Sequence, residues 1–264
     1  MLDKRLYWLQ NRTLIEVTGQ DALKFLQNLI TNDLVDIKTN LVYSALLTPQ
    51  GKYLFDFFII KKTENVFIID ISSASKEFFL NRLKLYRLRS DIKIQEVNGR
   101  VGIGGAQKPN DAFFDPRCKE LGWRQYFLGN IYPSQVTFLD KEKYDKIRID
   151  NCIPETDIEL IKDKTYILEA GFERLSGVSF TKGCYIGQEV TARMRHKTEL
   201  QKGLVKLRIT GNTNSSTHDI LYEGKSAGTV FTKVEDHAIA YLKFKYEQSA
   251  LTLGGADVEI IEKF

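Results

Sequence analysis

The run Lys182-Gly183-Cys184-Tyr185-Ile186-Gly187-Gln188-Glu189 places an ammonium, a thiol, a phenol, an amide and a carboxylate within eight residues. Its two glycines permit backbone turns that residues with side chains resist, so the polar groups can converge on one spot. Loops of this kind carry binding and catalytic groups. Cys184 is the candidate reactive group, and Lys182, two positions before it, would favour the thiolate. Arg193 and Arg195 would add to that field if the chain folds back. A cysteine is equally a small apolar packing residue, so both readings of Cys184 stay open here.

Other reactive residues form no comparable cluster. Cys118, Cys152 and Cys184 are odd in number and more than 30 residues apart, which argues against a disulfide framework and a Cys-x-x-Cys metal site. Reduced thiols are expected. His196, His218 and His237 are too scattered for a helical metal pair, and no metal site is expected. Gly102-Ile103-Gly104-Gly105 lacks the Gly-Lys-Ser/Thr ending of a phosphate loop and reads as a plain turn. Arg82, Lys84, Arg87 and Arg89 make a basic stretch, either a solvated helix face or a contact for a polyanionic ligand tail.

The elements that must position these residues follow from periodicity. Thr13–Thr18 reads as a strand, and Ala22, Phe25, Leu26 and Leu29 then fall at helical spacing behind a Thr18/Asp21 capping box. Val42–Leu47 and Tyr53–Ile60 make a hairpin through Thr48-Pro49-Gln50-Gly51-Lys52, whose Pro and Gly suggest a type II turn. Val66–Ile71, a helix over about 76–88 with serines before it, and Ile92–Val97 complete an α+β unit over residues 13–98. The middle third is less regular: Val101–Gly105 and Trp123–Leu128 look like strands and Leu139–Asp150 like a helix. From Gly203 apolar and polar residues alternate. Short strands over 220–222, 228–231, 238–244 and 258–261 predict a small antiparallel barrel or sandwich, with Gly211–Thr217 as a surface loop.

Composition sets the class. The chain has 264 residues, 43% apolar and 27% charged, as in a globular protein of one large domain or two to three small ones. The net charge of +4 does not by itself predict nucleic acid binding but suits a small anionic ligand. No run approaches the roughly 20 apolar residues of a membrane span. Met1–Leu6 is too charged for a signal peptide. These features predict a cytoplasmic protein with neither nucleic acid nor membrane as partner.

Lys182–Glu189, continuing through Val190-Thr191-Ala192-Arg193, resembles the signature segment of the folate-binding YgfZ family, relatives of the glycine-cleavage T-protein (aminomethyltransferase). Gly19–Ala22, Phe25–Gln27, Thr31–Asp33, Leu47–Lys52, Phe114–Arg117 and Leu121–Arg124 resemble further family segments in the right order. The resemblance implies an α+β, three-domain T-protein-like ring with a central folate channel and a C-terminal antiparallel β-barrel. The implied domains are residues 13–98, then 1–12 with 99–196 carrying the signature loop, then 197–264.

It further implies tetrahydrofolate or a one-carbon derivative as cofactor, iron–sulfur client or assembly proteins as transient partners, and a bacterial cytoplasmic location. Arg148-Ile149-Asp150 is similar to the T-protein segment whose acid holds the pterin, although Asp150 could also be a helix-terminal surface acid. A carboxylate there would accept two parallel hydrogen bonds from the pterin. Cys184 and Lys182 are the expected reactive pair. Asp150, Arg148, Tyr185, Gln188, Glu189 and Arg193 are the expected cofactor-binding set, with Gln188 and Glu189 ordering the loop. Aminomethyl transfer to tetrahydrofolate is the alternative activity. The T-protein's aspartate is absent after Val66–Ile71, and Glu77 is the acid nearest its place. A member that binds folate only for structure, or serves as a scaffold, is a further possibility.

Overall fold

The computed structural model describes residues 6–35, 41–105, 107–129, 133, 137–138, 140–197, 199–213 and 217–263. Its first sheet has five antiparallel strands in the order Leu41–Leu47, Tyr53–Thr63, Val66–Ser72, Arg12–Thr18, Lys93–Val97. Leu41–Leu47 is buried at every position because both faces of the sheet are covered. Helices α1 (Ala22–Leu29) and α2 (Lys76–Arg87) cover one face, packing on Ile15, Val17, Phe55, Phe57 and Ile59. The alternate residues Leu14, Tyr43, Phe58 and Ile60 join the core of the middle unit. α1 buries Ala22, Phe25, Leu26 and Leu29, as their spacing predicts.

Two local expectations are corrected. Asp21 makes no side-chain cap; its carboxylate accepts the Asp91 N–H (2.8 Å), tying α1 to the next connection. The hairpin turn is not type II. Gly51 donates its N–H to Thr48 O (2.9 Å), so the left-handed residue (φ 74°) is the fourth of the turn, not the third.

The second five-stranded sheet runs Thr137–Phe138, Tyr7–Leu9, Gly99–Gly104, Trp123–Leu128, Ala112–Phe114. Tyr7–Leu9 and Ala112–Phe114, three residues each, carry too few positions to show a period in sequence. α3 (Lys141–Asp150) starts behind Asp140, whose Oδ1 accepts the Lys143 N–H; Leu139, its expected start, lies outside the described residues.

The last unit is a closed antiparallel barrel in the order Lys202–Thr210, His237–Lys243, Lys225–Val234, Asp219–Tyr222, Leu251–Leu253, Ala256–Lys263. Closure leaves no open sheet edge. α3 is tied to the barrel through Arg148–Thr232, Lys146–Glu235 and Asp150–Lys206. The expected Gly211–Thr217 loop is described only in part. Among the described residues no helix is long and apolar enough to cross a membrane.

Candidate functional site

The signature segment runs along the edge of the first unit and into helix α4 (Gln188–Lys197). Lys182 is 7% exposed, and its Nζ donates to Gln27 O (2.7 Å), Ile30 O (2.7 Å) and Asn32 O (2.8 Å). All three ammonium protons are thus spent at the C-terminal end of α1, where helical carbonyls lack intrahelical partners and the dipole favours a cation. Burial pulls the Lys182 ammonium down to about 8, with Asp33 opposing.

Gly187 (φ 83°) lies against the hairpin: a Cβ there would sit 2.6 Å from Thr48 O and 3.1 Å from Gly51 Cα. A Cβ on Gly51 would in turn meet Val190 Cβ at 2.8 Å. The two left-handed glycines therefore interlock, and only glycine fits either place. Gly183 differs. Its φ is not left-handed and a Cβ would meet nothing within 4 Å, so it is not the hinge its type suggested.

Between these anchors Cys184 is exposed and free. Tyr185 turns inward, with a buried hydroxyl that has no hydrogen-bond partner among the described residues. Burial pushes that phenol up to about 12. The neighbouring Thr191 hydroxyl donates to Gly187 O.

The cationic field expected around Cys184 is not assembled. Lys182 points into α1, Arg193 pairs with Glu189 one turn back (3.0 Å), and Arg195 pairs with Glu173 (2.8 Å) while stacking on Phe180 at 3.8 Å. Glu189 thus serves its own helix rather than ordering the loop. Gln188 opens α4, its N–H donating to Tyr185 O.

Arg148 is buried and fully engaged. Its guanidinium donates to Ile153 O, Glu159, Asp145 and Thr232, and opposing carboxylates hold its charge in place despite burial. Asp150 is half-exposed and pairs with Lys206 of the barrel (2.9 Å). The structure does not bring these two to Tyr185, Gln188, Glu189 and Arg193. The α3 pair fastens the barrel, and the other four belong to the signature segment and α4.

Where the first two units meet, the space is filled by a charge network. Asp70, fully buried, accepts Arg12 Nε (2.6 Å), Arg124 Nη2 (2.7 Å) and the Tyr126 hydroxyl (3.0 Å). Asp115 accepts Arg117 Nη2 (2.8 Å), and Arg124 lies 3.9 Å over the Phe58 ring. Burial alone would raise the Asp70 carboxyl, but Arg12 and Arg124 outweigh it and hold it below its ordinary value. The cavity left here, lined by Arg12, Asp56, Phe58, Arg117, Arg124 and Arg148 among others, is about 40 Å³. That is room for water rather than for a ligand, whose pockets measure about 300–1,000 Å³.

Tyr43 separates this centre from a larger space. Its hydroxyl donates to Asp56 (3.2 Å), and it also lines a groove of about 750 Å³ with Asp33, Phe114, Phe180, Thr181 and Arg195. Thr181 immediately precedes Lys182, so the groove borders the signature segment. The lining mixes aromatic, acidic and basic side chains. Phe114 offers an aromatic face, while Glu173, which also lines the groove, holds the Arg195 guanidinium over the Phe180 ring.

The sequence reading missed Asp70, although it is the one charge within the apolar strand Val66–Ser72. A charge in a fully buried strand requires a partner, and that was the available signal. Glu77, the acid closest to the T-protein's aspartate in sequence, has a carboxylate 79% exposed beside Lys76.

Comparison with known proteins places this geometry. Residues 9–107 match the family model described as GCVT N-terminal domain, and residues 201–263 match CAF17, C-terminal beta-barrel domain. The chain is 31% identical over 251 residues to "Iron-sulfur cluster assembly factor IBA57 homolog, mitochondrial" of Dictyostelium discoideum, covering 76% of this chain and 60% of that protein. It is 28% identical over 226 residues to the homolog of the same name in Mycosarcoma maydis, covering 75% and 55%. It is 27% identical over 256 residues to "Iron-sulfur cluster assembly factor IBA57, mitochondrial" of Mus musculus, covering 85% and 70%. The match spans 55–60% of the length of the first of these relatives.

The crystal structure of glycine cleavage system aminomethyltransferase T from Bartonella henselae superposes with a TM-score of 0.78 at 13% identity, covering 100% of this chain and 86% of that one. The fold is therefore T-protein-like, with a GCVT-type N-terminal domain and a CAF17-type barrel. The relatives bear mitochondrial names, and this overturns the expected bacterial cytoplasmic location.

Proposed function

We propose that this chain, a GCVT-type domain joined to a CAF17-type barrel, assists the assembly or repair of iron–sulfur proteins by offering Cys184 to a transient partner beside a bound reduced folate. The observation that carries the reading is an exposed thiol on a segment immobilised on both sides, by Lys182 at α1 and by Gly187 at the hairpin. Such fixing lowers the ordering cost of presenting the thiol. The relatives named for iron–sulfur cluster assembly support the same direction.

The three cysteines divide the chemistry. Burial pushes the Cys152 thiol up to about 12, and burial with Glu120 alongside raises that of Cys118, so both favour the protonated form. Cys184 is the one that is exposed. One thiolate is one ligand, and iron–sulfur clusters usually take four, so the partner supplies the rest and the contact is shared rather than resident. Tetrahydrofolate or a one-carbon derivative would lie in the groove of Phe114, Phe180 and Arg195 and supply one-carbon chemistry when bound. Lys182 acts as a positioning residue. The alternative, aminomethyl transfer, gains nothing from Glu77, whose carboxylate is exposed beside Lys76 on α2.

Two measurements test the proposal. Calorimetric titration with tetrahydrofolate is expected to saturate, and Arg195→Glu to weaken it about tenfold; no heat at millimolar ligand removes the folate from the proposal. Cys184→Ser is expected to melt like the parent yet fail to restore iron–sulfur enzyme activity in cells lacking the protein. Full restoration would reduce Cys184 to an ordinary surface residue.

A further inference from the structure

α2 presents an outer face that the fold uses only at Phe78. Its inner face buries Phe79 and Leu83 against the first sheet. On the outside, Leu85 and Leu88 are 64% and 88% exposed, while Phe78, 37% exposed, packs on Phe55 and lies under the Lys162 ammonium (3.0 Å). Phe78 and Leu85 are seven residues apart and lie on one side of the helix two turns apart, with Arg82 between them. Leu88 ends the helix at φ 46° and ψ −112°, outside the regular helical regions. A leucine held at positive φ and 88% exposed has no packing reason to be there.

The charges around this stripe lack carboxylate partners, although Arg82 lies over the Phe78 ring (5.4 Å). Residues 76–89 contain five basic side chains and one acidic, a net +4 equal to that of the whole chain. Arg82, Lys84, Arg87 and Arg89 have no carboxylate within ion-pair distance among the described residues. The helix dipole accounts for Lys84 and Arg87 in the last turn, but not for Arg82 in the middle, Arg89 beyond the end, or the leucines among them. Beside the C-terminal end of α2, a cleft of about 320 Å³ opens towards α1, lined by Lys24, Phe25, Asn28, Tyr86 and Arg89 among others. Arg89 belongs both to the cleft and to the row of cations.

We infer that this face docks an acidic amphipathic helix of a protein partner. The partner helix lies along α2, its apolar residues against Leu85, Leu88 and the exposed edge of Phe78 and its carboxylates opposite Arg82, Lys84, Arg87 and Arg89. One terminal side chain enters the cleft between α1 and α2. The cations supply the charge complementarity that selects an acidic partner and speeds encounter. The concave cleft favours a folded segment over a membrane, which would cover the stripe and leave the cleft unfilled.

Fluorescence anisotropy of the full chain with a labelled 18-residue helical peptide, leucine along one face and glutamate along the other, tests this. Saturable binding is expected, with the affinity falling about tenfold for Lys84→Glu/Arg87→Glu, for Leu85→Ser/Leu88→Ser, and for a peptide of the same composition in scrambled order. All these positions are exposed, and thermal melts of the variants confirm folding. Absence of saturable binding, equal binding of the scrambled peptide, binding unmoved in either double variant, or preferential capture by vesicles containing phosphatidylserine would each overturn the inference.

Discussion

Arg12, Arg117 and Arg124 at the meeting point of the first two units, and Arg82, Lys84, Arg87 and Arg89 on α2, are cations held under opposite conditions. The first group is buried or nearly so and matched by Asp70 and Asp115 at hydrogen-bond distance. The second faces solvent without a carboxylate within reach among the described residues. A guanidinium out of water must be paired to exist there at all, so the central group is fixed by folding itself. The α2 group meets no such demand, and its value to the protein lies outside the fold. Burial and pairing, rather than charge, separate a structural cation from an available one. Lys182 belongs with the first group, although its sequence position beside Cys184 suggested the second.

The comparison can be broken most sharply at Asp70. Asp70→Asn leaves Arg12 and Arg124 without their shared anion and is expected to cost about 3–5 kcal/mol in chemical denaturation. The sign of its acid response is fixed. The folded carboxyl lies below its ordinary value, so its contribution is complete above the ordinary carboxylate range and is lost as pH falls through the depressed folded value. The gap between parent and variant should therefore narrow in that acid range; a gap that holds there would show that Asp70 is not ionised in the fold. Next in size, Lys182→Met strips the carbonyls of Gln27, Ile30 and Asn32 of their donor. We expect a loss of about 2–3 kcal/mol and faster amide exchange around residues 29–34.

Gly187→Ala is expected to cost about 2 kcal/mol, from its left-handed φ and the clash with Thr48 O, whereas Gly183→Ala should change stability by no more than about 0.5 kcal/mol. Equal effects would contradict the interlock with Gly51. The smallest effect belongs to α2: Arg87→Gln should alter stability by less than about 0.5 kcal/mol. A larger loss would place that residue with the central cations.

Much of the first unit was legible because its residues obey simple periods. Ala22, Phe25, Leu26 and Leu29 mark one face of α1, and the alternation in Val205, Leu207 and Ile209 marks a barrel strand. What could not be read is long-range pairing. Asp115 and Arg117 were visible as a motif, but their connection through Arg124 to Asp70 crosses a sheet that no local pattern describes. Lys182 shows the same limit. Its type and neighbours suggested electrostatic support for a thiol, while its partners are backbone carbonyls 150 or more residues earlier, and carbonyls leave no trace in side-chain sequence. Arg148 and Asp150 were found as a pair, yet they diverge: one enters the interior and the other reaches Lys206.

That separation between Lys182 and α1 has a temporal side. A ribosome adding about 5–20 residues per second completes α1 on the order of ten seconds before Lys182 is made. During that interval the end of α1 lacks its ammonium, and the hairpin at Gly51 has no Gly187 to lock against. The first unit must therefore wait, partly unfinished, for a segment synthesised after most of the middle unit. The signature run is thus a late latch in biosynthesis, and a nascent chain stalled before residue 182 should be more open to protease near residues 27–34 than the finished protein.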